Sequence, residues 1–140
     1  MNKENLNQLF RQADTELNIA RNELYKPSHD VVTYSVCISA RSALYRFMQC
    51  LYLLYAEENN KPVEESLTLF ELLEFSRQYN EKLNTLDFSR MNCINRDVRQ
   101  EKEEHVYFCD DTCMVQECTD AAVTVRELVI AKAGDTLNAG

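Results

Sequence analysis

Glycine and proline are nearly missing, with two of each in 140 residues. Tight turns between strands consume both residues, so their scarcity excludes a β-sandwich or barrel and implies long helices with few connections. Basic charge is also short. Fifteen Lys and Arg stand against 23 Asp and Glu, a net charge of −8. Nucleic-acid affinity comes largely from Lys and Arg displacing counterions. Generic DNA or RNA binding is therefore disfavoured, and DNA is not expected as a partner. There is no uninterrupted apolar run of membrane length. The most apolar stretch, Cys37 to Ala56, contains Arg41, Arg46 and Gln49, so no membrane span is expected. The first residues, Met1-Asn2-Lys3-Glu4-Asn5, are polar and carry no signal-peptide pattern. The expected setting is the cytoplasm, with the six cysteines kept as thiols.

Apolar residues make up 45% of the chain and charged residues 27%, the balance of a soluble globular domain. A chain of this length buries roughly two thirds of its unfolded surface and needs no staples. One domain over residues 1–140 is expected, with a frayed tail from about residue 134.

Periodicity places the helices. Leu6, Phe10, Ala13, Leu17, Ala20 and Leu24 recur at steps of three and four, which predicts a helix from about Asn5 to Tyr25, stopped by Pro27. Ser28-His29-Asp30 offers cap chemistry for a second helix reaching about Glu57. There, Cys37, Ala40, Leu44, Phe47, Met48, Leu51, Leu54 and Tyr55 make a broad stripe that Tyr34, Tyr45 and Tyr52 widen, which makes this helix central. Asn59-Asn60-Lys61-Pro62 ends it. Thr68 and Glu71 read as a capping box opening a third helix through Tyr79, followed by a polar break over Asn80 to Asn84. Leu86, Phe88, Met91 and Ile94 predict one or two weaker turns, and the charged run from Arg96 to Glu104 a loop or solvated turn. Val115, Cys118, Ala121, Ala122, Val125, Leu128 and Val129 predict a last helix from about Asp111 to Ala133, with Asp110 and Asp111 at its start and Gly134 at its C-cap. The fold class is all-α, an antiparallel up-and-down bundle of four to five helices.

Few residues carry candidate chemistry. Cys109, Cys113 and Cys118, with Cys93 or His105, could ligate zinc. No pair has the two-residue spacing of a zinc knuckle, though, and Cys118 continues an apolar stripe as a small buried residue would. No Glu stands three residues before a His, which argues against a di-iron bundle. No metal and no cofactor are expected. The two histidines, His29 and His105, have no glycine-rich loop or nucleophile elbow near them. The segment from Arg96 to Tyr107 is richer: Arg96, Arg99 and Lys102 precede His105 and Tyr107. An arginine can stabilise charge developing on a phosphodiester, and a histidine can relay the proton of a ribose hydroxyl. A solvated surface loop with an exposed histidine is the plainer reading of the same residues.

From Leu6 to Leu128 the layout resembles the HEPN family (higher eukaryotes and prokaryotes nucleotide-binding). The residues that carry the resemblance are the amphipathic first helix, Ala40-Arg41-Ser42-Ala43-Leu44-Tyr45-Arg46-Phe47-Met48 in the second, and Pro62 followed by Leu67-Thr68-Leu69-Phe70-Glu71-Leu72-Leu73. The alanines in the middle of the last helix add to it. Ribonuclease members of that family carry an Arg, four to six residues, then a His before the last long helix, often with a Tyr two positions later. Here Arg99 and His105 are separated by five residues and Tyr107 follows. The resemblance thus implies, as one expectation, a metal-independent endoribonuclease with catalytic Arg99, His105 and Tyr107 and RNA as substrate. Three carboxylates, Glu101, Glu103 and Glu104, lie between the pair and would repel a phosphate. Relatives lacking the pair act as binding partners of nucleotidyltransferases or in toxin–antitoxin systems, and commonly dimerise through helix faces. The expectation drawn here is a non-catalytic binding or regulatory module forming a homodimer, with Tyr45, Tyr52 and Tyr55 as candidate interface residues unless they belong to the core. A structural interaction protein with no ligand is the remaining alternative.

Overall fold

The computed structural model describes residues 3–86 and 112–134. Within them the chain is helical and without strands, an all-α bundle. Helix α1 spans Lys3–Leu24, α2 Thr33–Glu58, α3 Leu69–Arg77 and α4 Thr112–Ala133. Short 3-10 turns occupy Ser28–Asp30 and Glu81–Thr85. The weak fourth segment beyond Leu86, the charged run after Arg96, and Asp110 with Asp111 lie outside the described residues.

Helix α2 is the axis of the molecule. Val36, Ala40, Ala43, Leu44, Phe47, Met48, Cys50, Leu51 and Ala56 on it are fully buried. With the buried tyrosines they take up most of the helix circumference and leave one stripe partly open, the pattern of a core helix. Its partners cover it by complementary stripes. Leu6, Phe10, Ala13, Leu17 and Ala20 bury the α1 stripe, and Val115, Cys118, Ala122, Val125 and Val129 the α4 stripe.

Named pairs give the directions. Cys50 Sγ reaches the Leu6 carbonyl at 3.9 Å. The Phe10 and Phe47 rings meet edge-on at 5.5 Å. Glu23 accepts from the Val32 N–H at 3.0 Å. Helix α2 therefore runs antiparallel to α1. Asp14 accepts from Arg126 at 2.6 Å, and Arg126 also lies over the Phe10 ring. Glu58 pairs with Lys132, which lies over Tyr55. Helix α4 is thus antiparallel to α1 and runs with α2.

Alternation stops at α3, and the reason is local. Asn59, Asn60 and Lys61 close α2 with a Schellman turn. The Asn60 N–H donates to the Glu57 carbonyl at 3.2 Å and the Lys61 N–H to that of Ala56 at 2.8 Å. Asn60 takes the left-handed conformation (φ 53°) that glycine usually supplies there. The chain then turns back along α2 as an extended strap, residues 61–67, before α3 begins. Helix α3 consequently travels in the same direction as α2, with Tyr45 facing Leu67, Tyr52 facing Phe75 and Tyr55 facing Tyr79.

The Thr68–Glu71 capping box is present: Glu71 N–H donates to Thr68 Oγ1 at 3.1 Å, and Thr68 N–H to Glu71 Oε1 at 2.9 Å. Two local expectations change. Ser28–Asp30 forms its own 3-10 turn instead of capping α2, whose N-cap, Val32, makes no side-chain cap bond. The long-range bond from Glu23 ties down that corner. Its carboxyl is held below the usual range by the Val32 N–H and then by Lys26. The polar break at Asn80 to Asn84 is also ordered, because Leu83 within it is fully buried. Gly134 ends α4 at φ 55°, as its C-cap position requires.

Candidate functional site

The partly open positions along α2 fall mainly on one stripe: Ser35, Ile38, Ser39, Ser42, Arg46, Gln49, Leu53 and, more exposed, Glu57. Steps of three and four make them a single stripe. Two hollows lie along it. The wider, about 410 Å³, is bounded by Asn5 of α1, by Leu53, Ala56 and Glu57 of α2, and by Lys61 and Val63 of the strap. The smaller, about 190 Å³, is bounded by Leu9 of α1, by Gln49 and Leu53, and by the strap from Val63 to Leu67. They share Leu53 and Val63 and so lie side by side, a two-part groove between the α1–α2 pair and the strap.

Two tyrosines hold the strap in place. Tyr45 Oη donates to the Leu67 carbonyl at 2.6 Å. Tyr52 Oη accepts from the Glu64 N–H at 2.7 Å and lies 3.5 Å from the Pro62 carbonyl. Between these anchors Ser66 adopts φ 64°, a left-handed backbone uncommon for a residue with a side chain. A third tyrosine, Tyr55, accepts from Asn80 Nδ2 at 3.0 Å and stacks on Tyr79 at 5.3 Å, fastening the end of α3.

Tyr45, Tyr52 and Tyr55 therefore belong to the core of the chain itself. Their exposures are 9%, 4% and 4% in the isolated chain. Residues already buried within one chain have no surface to give to a second. The large apolar stripe expected to attract a partner attracts the strap and α3 of its own chain.

The groove presents acceptors. Gln49 Oε1 is buried with no hydrogen-bond partner, which is uncommon for a buried polar atom. Glu64 and Glu65 on the strap are exposed, and neither joins an ion pair among the described residues. Arg46, one turn before Gln49, is held by Glu16 at 2.6 Å. A third hollow, about 280 Å³, lies between Arg21, Leu24 and Tyr25 of α1 and Gln116, Asp120 and Val123 of α4.

Arg99, His105 and Tyr107 lie outside the described residues, as do Cys93 and Cys109. His29 is exposed beside Asp30, 3.5 Å away. Among the described residues no group of three His, Cys, Asp or Glu is placed to hold a metal ion. Nor is any helix there long and apolar enough to cross a membrane.

No family model, curated protein or solved structure matches the chain.

Cys37, Cys50 and Cys118 are buried thiols. Burial pushes the Cys50 thiol up from its ordinary 9.0 to about 12. The thiolate is the reactive form, so Cys50 is inert at neutral pH. The shift has a consequence for stability. Between the two values the folded chain keeps a proton that the unfolded chain has released, so stability is intact below about pH 9 and falls as pH rises toward 12. At about pH 10 the loss from this group is on the order of 1 kcal/mol. Denaturant midpoints at neutral pH and at about pH 10 check it: Cys50→Ala should show the smaller alkaline fall.

Sequence reasoning missed the groove. Its walls were read as helix core, and its rim, Glu64 to Ser66, as an unremarked link. A strap has no helical period to detect. The one available signal was Gln49, an amide inside the most apolar stretch of the chain.

Proposed function

We propose that this chain is a HEPN-like, non-catalytic binding or regulatory module of the cytoplasm, and that it grips its partner in the groove beneath the strap. The groove supports this reading directly. A built concavity with apolar walls, a buried unpartnered acceptor and an acidic rim is the form of a recognition site. The partner class comes from the resemblance alone: a nucleotidyltransferase or the toxin of a toxin–antitoxin pair. Self-association belongs to the same proposal, through a face other than the tyrosine stripe, and light scattering should return twice the chain mass.

The experiment that tests the non-catalytic half is RNA cleavage. Purified protein is incubated with total cellular RNA and with mixed tRNA in EDTA, beside Arg99→Ala and His105→Ala. The expected result is intact RNA in every lane. Cleavage by the parent that both substitutions abolish would overturn the proposal and establish the Arg99–His105 endoribonuclease in its place.

A further inference from the structure

The groove is not equally suited to every occupant. Its smaller end is walled by Leu9, Leu53 and Leu67 and by the rings of Tyr45 and Tyr52, surfaces that suit a methylene stem. Its polar groups are one-sided. The Tyr45 hydroxyl is spent on the Leu67 carbonyl, and the Tyr52 oxygen on the Glu64 N–H. No lysine or arginine lines this end; Lys61 borders only the wider hollow, and Arg46, one turn before Gln49, is neutralised by Glu16. What remains is Gln49 Oε1, buried and unpartnered, with the Glu64 and Glu65 carboxylates at the rim. An anion entering here meets two carboxylates and no cationic side chain. A cation on an aliphatic stem meets an amide acceptor below and carboxylates above.

Resting on the groove as the binding site, we infer that its Glu64–Glu65 end takes the arginine or lysine side chain of a partner's peptide segment. Size agrees: about 190 Å³ is roughly six waters at about 30 Å³ of liquid each, enough for a guanidinium with its three methylenes. Charge agrees as well, since a chain of net charge −8 steers basic segments toward itself. A peptide fits better than a free cation because the cleft does not end at the cation site. The wider hollow adjoins it across Leu53 and Val63, and Val63, 54% exposed, offers an apolar seat for the residue beside the inserted one.

The test is a titration of the isotope-labelled full chain followed by NMR, reading the Gln49 side-chain amide and the Ser66 and Leu67 backbone amides. The probes are acetyl-Leu-Arg-Leu-amide, the same peptide with citrulline (the neutral isostere of arginine) for Arg, and propylguanidinium alone. The arginine peptide should move these signals saturably, and the citrulline peptide should bind at least about tenfold more weakly. Glu64→Gln with Glu65→Gln should bring the arginine peptide down toward the citrulline one. Both sites are exposed, so the rest of the spectrum should keep its native dispersion. Gln49→Leu should weaken the arginine peptide as well. Equal binding of the arginine and citrulline peptides would overturn the cation inference and leave the groove as a binding site. Propylguanidinium binding as tightly as the peptide would overturn the peptide occupant. If no probe moves the three reporters, the inference and the groove reading fall together.

Discussion

Phe47→Ala lowers stability by about 3–5 kcal/mol, the usual consequence of emptying a fully enclosed aromatic site. Phe47 has no exposed surface, and its ring meets Phe10 edge-on at 5.5 Å. Truncation therefore removes both the transfer of a large side chain from water and an aromatic pair at the α1–α2 contact. Phe47 lies on the enclosed side of α2, so the hole cannot collapse without moving a neighbouring helix. Thermal unfolding should shift downward by roughly 10–15 °C for a chain of this size. Ile19→Ala is the matched control: Ile19 is 48% exposed on α1, and its loss should stay within about 0.5 kcal/mol. Similar shifts for the two variants would mean that Phe47 is not at the centre of the core.

The second large effect is local. Tyr45→Phe combined with Tyr52→Phe keeps both rings, including the edge-on contact of Tyr52 with Phe75 at 4.8 Å, and removes only the hydroxyls. The Leu67 carbonyl and the Glu64 N–H then lose their partners, at about 1–2 kcal/mol each. That energy holds the strap, so its loss should appear there first. Amide hydrogen exchange at residues 63–67 should quicken about tenfold for each 1.4 kcal/mol lost, while the middle of α2 exchanges only as fast as global stability allows. The α1–α2 contact does not involve either hydroxyl and should keep its protection order. Unchanged exchange in the strap would show that the phenols do not anchor it.

The parts of this architecture that were readable in the sequence share one property: they repeat. The α1 stripe from Leu6 to Leu24, the broad stripe on α2 and the alanine-rich face of α4 all recur at steps of three and four, and the structure buries nearly every residue of them. The capping box was equally legible, because its two residues sit three apart and bond each other. Direction and non-repeating segments were not legible. Nothing in the periodicity of Leu69 to Tyr79 says that α3 runs with α2 and not against it. That is decided by Asn60 in a left-handed turn and by an extended strap. The three tyrosines show the same limit. Their spacing announced a second sticky face on α2, but spacing does not say whether the chain or a partner covers it. Two hydroxyls bonded to strap backbone and one to Asn80 answer the question. Leu83 was hidden for a related reason, as a lone anchor in a polar stretch with no neighbour to set a period.

The enclosure of α2 also bears on how such a chain can vary. The longest of the described helices meets the outside along little more than one stripe, and Gln49, Leu53 and Glu57 of that stripe line the groove. The residues that specify the fold and those available for recognition are thus nearly separate sets on one helix. Substitution along Gln49, Leu53 and the strap can retune what is bound while Phe47, Met48 and Leu51 stay unchanged. A lineage could exchange one partner for another there without rebuilding its core, and a designer could do the same with four or five positions.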